Sequence, residues 1–217
     1  LETACYNLHL RVYGCSISSP PNMPTMIMGA EQDKTDVRKS LLEKLLSLTK
    51  SEIKRRSEHV QKQLSNLPIY RKAQLIMAYY PLPGEVDILG MMRKAQNKRF
   101  CFPVMDTKTR SLRPYEVKSF DEDFIKGPYG VSVPDTGKTK EVDIGEIDMV
   151  IVPGLGFDRR RNRLGRGAGF YDRFLKRLKP TTLKVGLAFE FQILDRLPTH
   201  QSLDEKVDCI VSEHFFI

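Results

Sequence analysis

The chain has no tryptophan, only four cysteines among 217 residues, and no apolar run near the ~18 residues of a membrane-spanning helix. It offers no helical membrane anchor. The cysteines, Cys5, Cys15, Cys101 and Cys209, form no CxxC pair and have no metal-type spacing. Cys101 and Cys209 lie inside apolar runs, so we read small buried thiols in an intracellular protein. There is no internal repeat, no GxxxxGK[ST] loop, and no Ser/His/Asp or Cys/His set at recognisable spacing. What is present is the composition of one soluble globular domain, 41% hydrophobic and 29% charged, which excludes disordered and collagen-like chains. A chain of this length buries enough surface to fold without disulfides or a structural metal.

Acids are the minority: 27 against 35 Lys plus Arg, for a net +8. The excess is local. Residues 1–33 hold one base, Arg11, against Glu2, Glu31 and Asp33, whereas residues 158–179 hold nine bases against Asp158 and Asp172. The partner of that basic segment is expected to be an anion: a nucleotide, a polyanionic small molecule or nucleic acid.

Residues 1–30 show neither period, and Ser18, Ser19, Pro20, Pro21 and Pro24 make them poor folders. They lack the basic and apolar regions of a signal peptide and the arginines of a mitochondrial presequence. We expect a disordered leader or an upstream-extended gene model, followed by one domain over 31–217, a cytoplasmic location, and organellar targeting as the less favoured alternative.

The folded part alternates. Leu41, Leu42, Leu45, Leu46 and Leu48 predict an amphipathic helix from near Lys34. Thr49 and Glu52 form a capping box for a second helix that stops before Pro68. Residues 74–80 read as a buried strand, 86–97 as a helix, 99–104 as a strand, 106–109 as a turn and 112–117 as a more exposed strand. Residues 120–143 read as a long irregular connection. The run 148–152 is the clearest buried strand. It feeds a basic loop, a helix over 169–178, a strand over 183–189, a short helix at 191–194 and a last strand over 207–211. This alternation predicts an α/β three-layer sandwich around a mainly parallel, Rossmann-like sheet. Ligands then bind at the strands' carboxyl ends, where the loops after Tyr80 and Val152 converge.

The chemistry concentrates in VPGLGFDRRRNRLGRGAGFYDRF, residues 152–174. Gly165, Gly167 and Gly169 let backbone N–H groups approach phosphate oxygens, and the helix that follows adds its positive end. Arg163 and Arg166 supply permanently charged bidentate donors. Asp172 suits a hard cation such as Mg²⁺. On spacing alone a solvated Gly-Arg loop remains an alternative, and the nucleotide is not specified.

Pro153–Asp158 (PGLGFD) and Arg163–Asp172 (RLGRGAGFYD) closely resemble the PGLxFD and RLGxGxGYYD signature of the 5-formyltetrahydrofolate cyclo-ligase (5,10-methenyltetrahydrofolate synthetase) family. The likeness extends over about 34–213, with Lys34 and Arg38 as a Lys-x-x-x-Arg start and a late Lys206-Val207-Asp208. The resemblance implies an ATP-dependent, Mg²⁺-requiring ligase of one-carbon metabolism. It closes 5-formyltetrahydrofolate to 5,10-methenyltetrahydrofolate and releases ADP and phosphate. ATP is a co-substrate, the formyl oxygen is phosphorylated, and N10 attacks the activated carbon. Such chemistry needs positioning and charge neutralisation rather than a protein nucleophile.

Carried over residue by residue, the resemblance implies ATP contacts from Lys34, Arg38 and Arg163, Leu164, Gly165, Arg166, Gly167, Ala168, Gly169, Phe170 and Tyr171. It implies folate contacts from Glu85, Tyr129, Arg166, Gly167, Ala168, Gly169 and Phe170, catalytic roles for Arg166 and Tyr171, and Mg²⁺ at Asp172 and Asp208. Plainer readings stand beside these. Lys34 and Arg38 can be solvated charges, Glu85 a turn residue, Asp172 a partner of Lys176, Asp208 a strand cap and Tyr129 a loop closer. Arg159, Arg160 and Arg161 read as an exposed edge, and His59 as surface; His200 and His214 receive no role. Two residues depart from the family pattern. Phe170 replaces a Tyr and removes a hydroxyl, and Ala168 stands where many members carry a base. The expected species is a monomer on small-molecule substrates, with no membrane or specific nucleic-acid partner. The alternatives are an Arg-rich nucleic-acid module with Phe170 and Tyr171 stacking on bases, and a catalytically silent relative.

Overall fold

In the computed structural model, residues 34–127, 130–198, 204–214 and 216–217 are described; the expected leader, Tyr129 and His200 lie outside them. Helix α1 (Lys34–Ser47) buries Val37, Leu41 and Leu45 and leaves Leu46 in solvent. The capping box forms as expected. The Glu52 amide donates to Thr49 Oγ1 at 3.2 Å and the Thr49 amide to Glu52 Oε2 at 2.9 Å, which satisfies two orphan donors and starts α2 (Lys50–Asn66). Pro68 ends α2 and opens the short α3 (Pro68–Lys72), where its missing N–H costs nothing.

The strands that follow are β1 (Leu75–Met77), β2 (Arg99–Asp106) and β3 (Ser111–Val117), with α4 (Leu89–Lys94) between the first two. Then come β4 (Phe124–Lys126), β5 (Ser132–Pro134), β6 (Lys140–Glu141), β7 (Met149–Val152), β8 (Gly156–Asp158) and β9 (Arg163–Leu164). The chain continues through α5 (Phe170–Leu175), β10 (Leu183–Leu187), β11 (Ile193–Leu194) and β12 (Cys209–Val211). The main sheet runs β12-β10-β7-β1-β2-β3-β6; the first five strands are parallel, and β3 alone runs against them, pairing antiparallel with β2 and β6.

Both faces are covered, so the central strands are apolar throughout. In β7, Met149 and Ile151 face a core with Val60 and Leu64 of α2, while Val150 and Val152 face one with Phe174 and Leu175 of α5. This is the expected three-layer α/β sandwich. A third, small cluster joins Val37 and Leu41 of α1 to Leu164 and Leu197, and it docks the first helix on β9.

Several expectations are corrected. The connection 120–143 carries β4, β5 and β6, strands of two or three residues that are too short to show a period. The helices expected at 86–97 and 169–178 shrink to six residues each. Strand β3 is not exposed: Leu112, Pro114, Tyr115 and Val117 are buried. The short helix expected at 191–194 is a 3₁₀ helix over Glu190–Gln192, and Ile193–Leu194 form β11. The basic stretch after β7 is a small sheet, β11-β8-β9. Its turn is supplied by the buried Asp158 carboxylate, which accepts from the amides of Arg160, Asn162 and Leu197 and from Asn162 Nδ2. Cys101 and Cys209 are buried, as expected. Among the described residues no helix is long and apolar enough to cross a membrane.

Candidate active site at the carboxyl edge of the sheet

The carboxyl ends of β1 and β7 lead into the two segments expected to converge, and they do. Beyond β1 the chain turns at Gly84, whose φ of +86° and close approach to the Leu45 carbonyl suit glycine. This presents Glu85. Its Oε2 accepts from the Leu82 amide at 3.0 Å and its Oε1 from Arg166 Nη2 at 2.9 Å. Glu85 is therefore not a solvated turn residue: its side chain is 8% exposed, against 41% for Arg166. A narrow crevice lined by Tyr79, Glu85, Val86, Pro153, Gly154, Leu187 and Gln192 lies beside the pair. Tyr79 donates its hydroxyl to the Val86 carbonyl at 2.9 Å.

Arg163 does something the sequence did not suggest. Its side chain is only 4% exposed. Nη2 binds Asp172 Oδ1 at 2.7 Å, Nη1 the Pro153 carbonyl at 3.2 Å, and the guanidinium lies 5.8 Å from the Tyr171 ring centroid. Two signature glycines make room for it. A Cβ at Gly165 would come within 2.8 Å of Nη1, and one at Gly154 within 3.3 Å of Arg163 Cγ. Gly167 and Gly169 are glycine for a different reason, φ of +108° and +68°. Burial, then the Glu85 charge, pushes the Tyr171 hydroxyl above the usual tyrosine range, and Arg163 pulls the other way. Burial and Glu85 hold the Tyr79 hydroxyl well above it too. Both stay protonated near neutrality.

Helix α1 brings Lys34 and Arg38 to the same loop. Arg38 Nε donates to the Gly165 carbonyl at 3.0 Å, and its Cζ lies 3.8 Å from where a Gly167 Cβ would stand. Lys34 Nζ pairs with Asp204 Oδ2 at 2.5 Å. Neither is a free surface charge. Leu164 is buried against α1, whereas Arg166, Gly167 and Ala168 are exposed. Phe170 packs on the α5-side core, with the Arg173 guanidinium 5.5 Å from its ring centroid.

Asp172 and Asp208 each carry protein hydrogen bonds of their own. Asp172 sits in the first turn of α5, and its Oδ1 also accepts from the Glu205 amide at 3.2 Å. Asp208 precedes β12, and its Oδ2 accepts from the Lys184 amide at 2.7 Å, the strand-capping reading. The register sets it level with Lys184 and Val150, three residues before the edge where Pro153 begins, or about 10 Å. Among the described residues no group of three or more His, Cys, Asp or Glu is arranged to hold a metal. One carboxylate at a phosphate loop fits an ion that takes its other ligands from nucleotide and water, as Mg²⁺ usually does; an all-protein cage does not fit.

Three contributors went unread in the sequence. Asp204 carries no motif. Gln192 is buried and donates Nε2 to the carbonyls of Gly154 and Leu155 at 3.1 and 3.0 Å, which fixes the turn after β7; a lone Gln gives no signal. Arg173 was counted only as charge. Tyr129 lies outside the described residues.

A profile of the 5-formyltetrahydrofolate cyclo-ligase family matches residues 30–213. The chain is 29% identical over 192 residues to the 5-formyltetrahydrofolate cyclo-ligase of Mus musculus, covering 83% of this chain and 93% of that one. It is 28% identical over 172 residues to the Haemophilus influenzae protein of the same name, covering 78% and 90%. The solved structure of Aquifex aeolicus 5,10-methenyltetrahydrofolate synthetase superposes with a TM-score of 0.73 at 35% identity, over 83% of this chain and 90% of that one.

Proposed function

This chain belongs to the 5-formyltetrahydrofolate cyclo-ligase family, and from that premise we propose how its own residues divide the work. It is an ATP-dependent ligase that converts 5-formyltetrahydrofolate to 5,10-methenyltetrahydrofolate. The assignment of residues rests on one observation above the others: the Arg166–Glu85 pair at 2.9 Å, which closes the glycine loop over the turn after β1 beside the crevice.

In this reading Lys34, Arg38 and Arg166, with the amides of Gly165–Gly169, bind the triphosphate of ATP. Glu85 accepts an N–H of the folate ring system. The formyl oxygen attacks the γ-phosphorus and ADP departs. N10 then attacks the activated carbon and loses its proton, and the carbon–oxygen bond breaks to release phosphate with the former formyl oxygen. Arg166 leaves Glu85 to meet the charge developing on the transferring phosphoryl group, where a preorganised cation acts most strongly. Tyr171 and Phe170 wall the site, Tyr171 remaining a protonated donor. Mg²⁺ would be held by Asp172 together with the phosphates and would neutralise part of their charge. Leu164 and Ala168 contribute backbone only. Asp208, capping a strand, has no part in this reading.

Four of the arginines that suggested nucleic acid have partners within the protein. Arg159 pairs with Asp195, Arg161 donates to the Asp208 carbonyl, and Arg163 and Arg166 are taken by Asp172 and Glu85. This supports an enzyme on small anions, and we propose a cytoplasmic monomer without a specific nucleic-acid partner. The test uses the full chain with 5-formyltetrahydrofolate and Mg-ATP, following the absorbance of the methenyl product. Arg166→Ala is expected to lower kcat about 100-fold or more, and Glu85→Gln to raise the folate KM. Wild-type kcat/KM in Arg166→Ala would refute the assignment.

A further inference from the structure

We propose that Arg173 is a positioning residue that, together with Arg38, turns the glycine loop's amides toward the nucleotide; this rests on the reading of that loop as the phosphate cradle. The loop is flexible by composition. Gly167 and Gly169 occupy the left-handed region, and residues 166–168 are exposed. Its peptide groups are nevertheless fixed at both ends by guanidinium ions. Arg38 Nε holds the Gly165 carbonyl at 3.0 Å, and Arg173 Nη2 holds the Ala168 carbonyl at 2.9 Å. In a trans peptide the C=O and the following N–H point in opposite directions. Fixing these two carbonyls therefore aims the N–H groups of Arg166 and Gly169 away from the guanidinium ions. No protein acceptor among the described residues takes the amides of Arg166, Gly167, Ala168 or Gly169. Exposed amides turned to a common task in this way form an anion-binding concavity.

Arg173 can act as an anchor because it is itself anchored. Its Nε donates to the Arg110 carbonyl at 2.8 Å, at the turn between β2 and β3, where Arg110 has φ of +52°. Its guanidinium also stacks over Phe170, and its Nη1 lies 2.8 Å from where a Gly169 Cβ would stand. Arg173 thus ties the loop to a hairpin of the main sheet. Lysine keeps the charge but, with one ammonium, loses the fork.

The experiment measures KM for ATP, KM for 5-formyltetrahydrofolate and kcat in full-length Arg173→Ala, Arg173→Lys and Arg38→Ala, with equilibrium binding of a non-hydrolysable ATP analogue and the urea midpoint of each variant. Loss of one charge-assisted tie is expected to raise the ATP KM and the analogue Kd roughly tenfold, about 1.4 kcal/mol. The folate KM and the urea midpoint should stay near wild type, and Arg173→Lys should fall between. An unchanged ATP KM in Arg173→Ala, with a raised one in Arg38→Ala, overturns the role of Arg173 alone. Full recovery in Arg173→Lys overturns it in favour of simple charge. Unchanged values in both alanine variants overturn the phosphate-cradle reading itself.

Discussion

Arg163→Ala separates a buried strut from a phosphate ligand. The side chain is 4% exposed and its Asp172 partner 21%, at 2.7 Å. Removing one member of a buried pair costs about 3–5 kcal/mol; the partial exposure of Asp172 lets water recover some of this. The bond to the Pro153 carbonyl adds about 1 kcal/mol. Against these losses, Arg163 Nε is buried without a partner, and alanine relieves that penalty of about 1–3 kcal/mol. The net expectation is a loss of about 2–3 kcal/mol, small enough beside a typical ~5–15 kcal/mol for the variant to fold. Urea unfolding near pH 7 with an unchanged slope measures it, and a double-mutant cycle with Asp172→Asn isolates the pair, with a coupling of about 1–3 kcal/mol expected. A destabilisation below about 0.5 kcal/mol, accompanied by a raised ATP KM, would refute the reasoning. The guanidinium would then face the nucleotide and not its own fold.

Two further outcomes concern the sheet and its pH response. A Cβ at Gly186, in β10, would lie 2.5 Å from Cε1 of the fully buried Phe157, so Gly186→Ala should destabilise by about 1–3 kcal/mol; an unchanged urea midpoint would show that the ring moves freely. Burial raises the Cys101 thiol above its ordinary 9.0 and, with Glu85, raises the hydroxyls of Tyr79 and Tyr171 above 10.0. The unfolded chain therefore loses these protons first as pH rises, and stability present below pH 9.0 is progressively lost above it, by up to about 1.4 kcal/mol per pH unit for each group. Unfolding free energies from pH 7 to 11 should fall, and Cys101→Ala should delay the onset. A flat profile in the parent would contradict the burial argument.

The local signals were dependable where one residue type settles a local geometry. Thr49 and Glu52 build the capping box, Pro68 ends a helix, and the run at 149–152 is a strand buried on both faces. The signature at 153–172 likewise identified the family. Elements held only by distant partners were illegible. Strands of two or three residues, such as β6, β9 and β11, have no period to read and exist because another strand pairs with them. The same distinction divides the site. Sequence determined that arginines, glycines and an acid would share one loop. Tertiary structure alone decided that Arg163 is a buried strut, that Arg166 reaches Glu85 across 81 positions, and that Asp208 caps a strand. The reason is that a charge's role depends on which opposite charge and how much water the fold places around it, and neither is encoded at the residue itself.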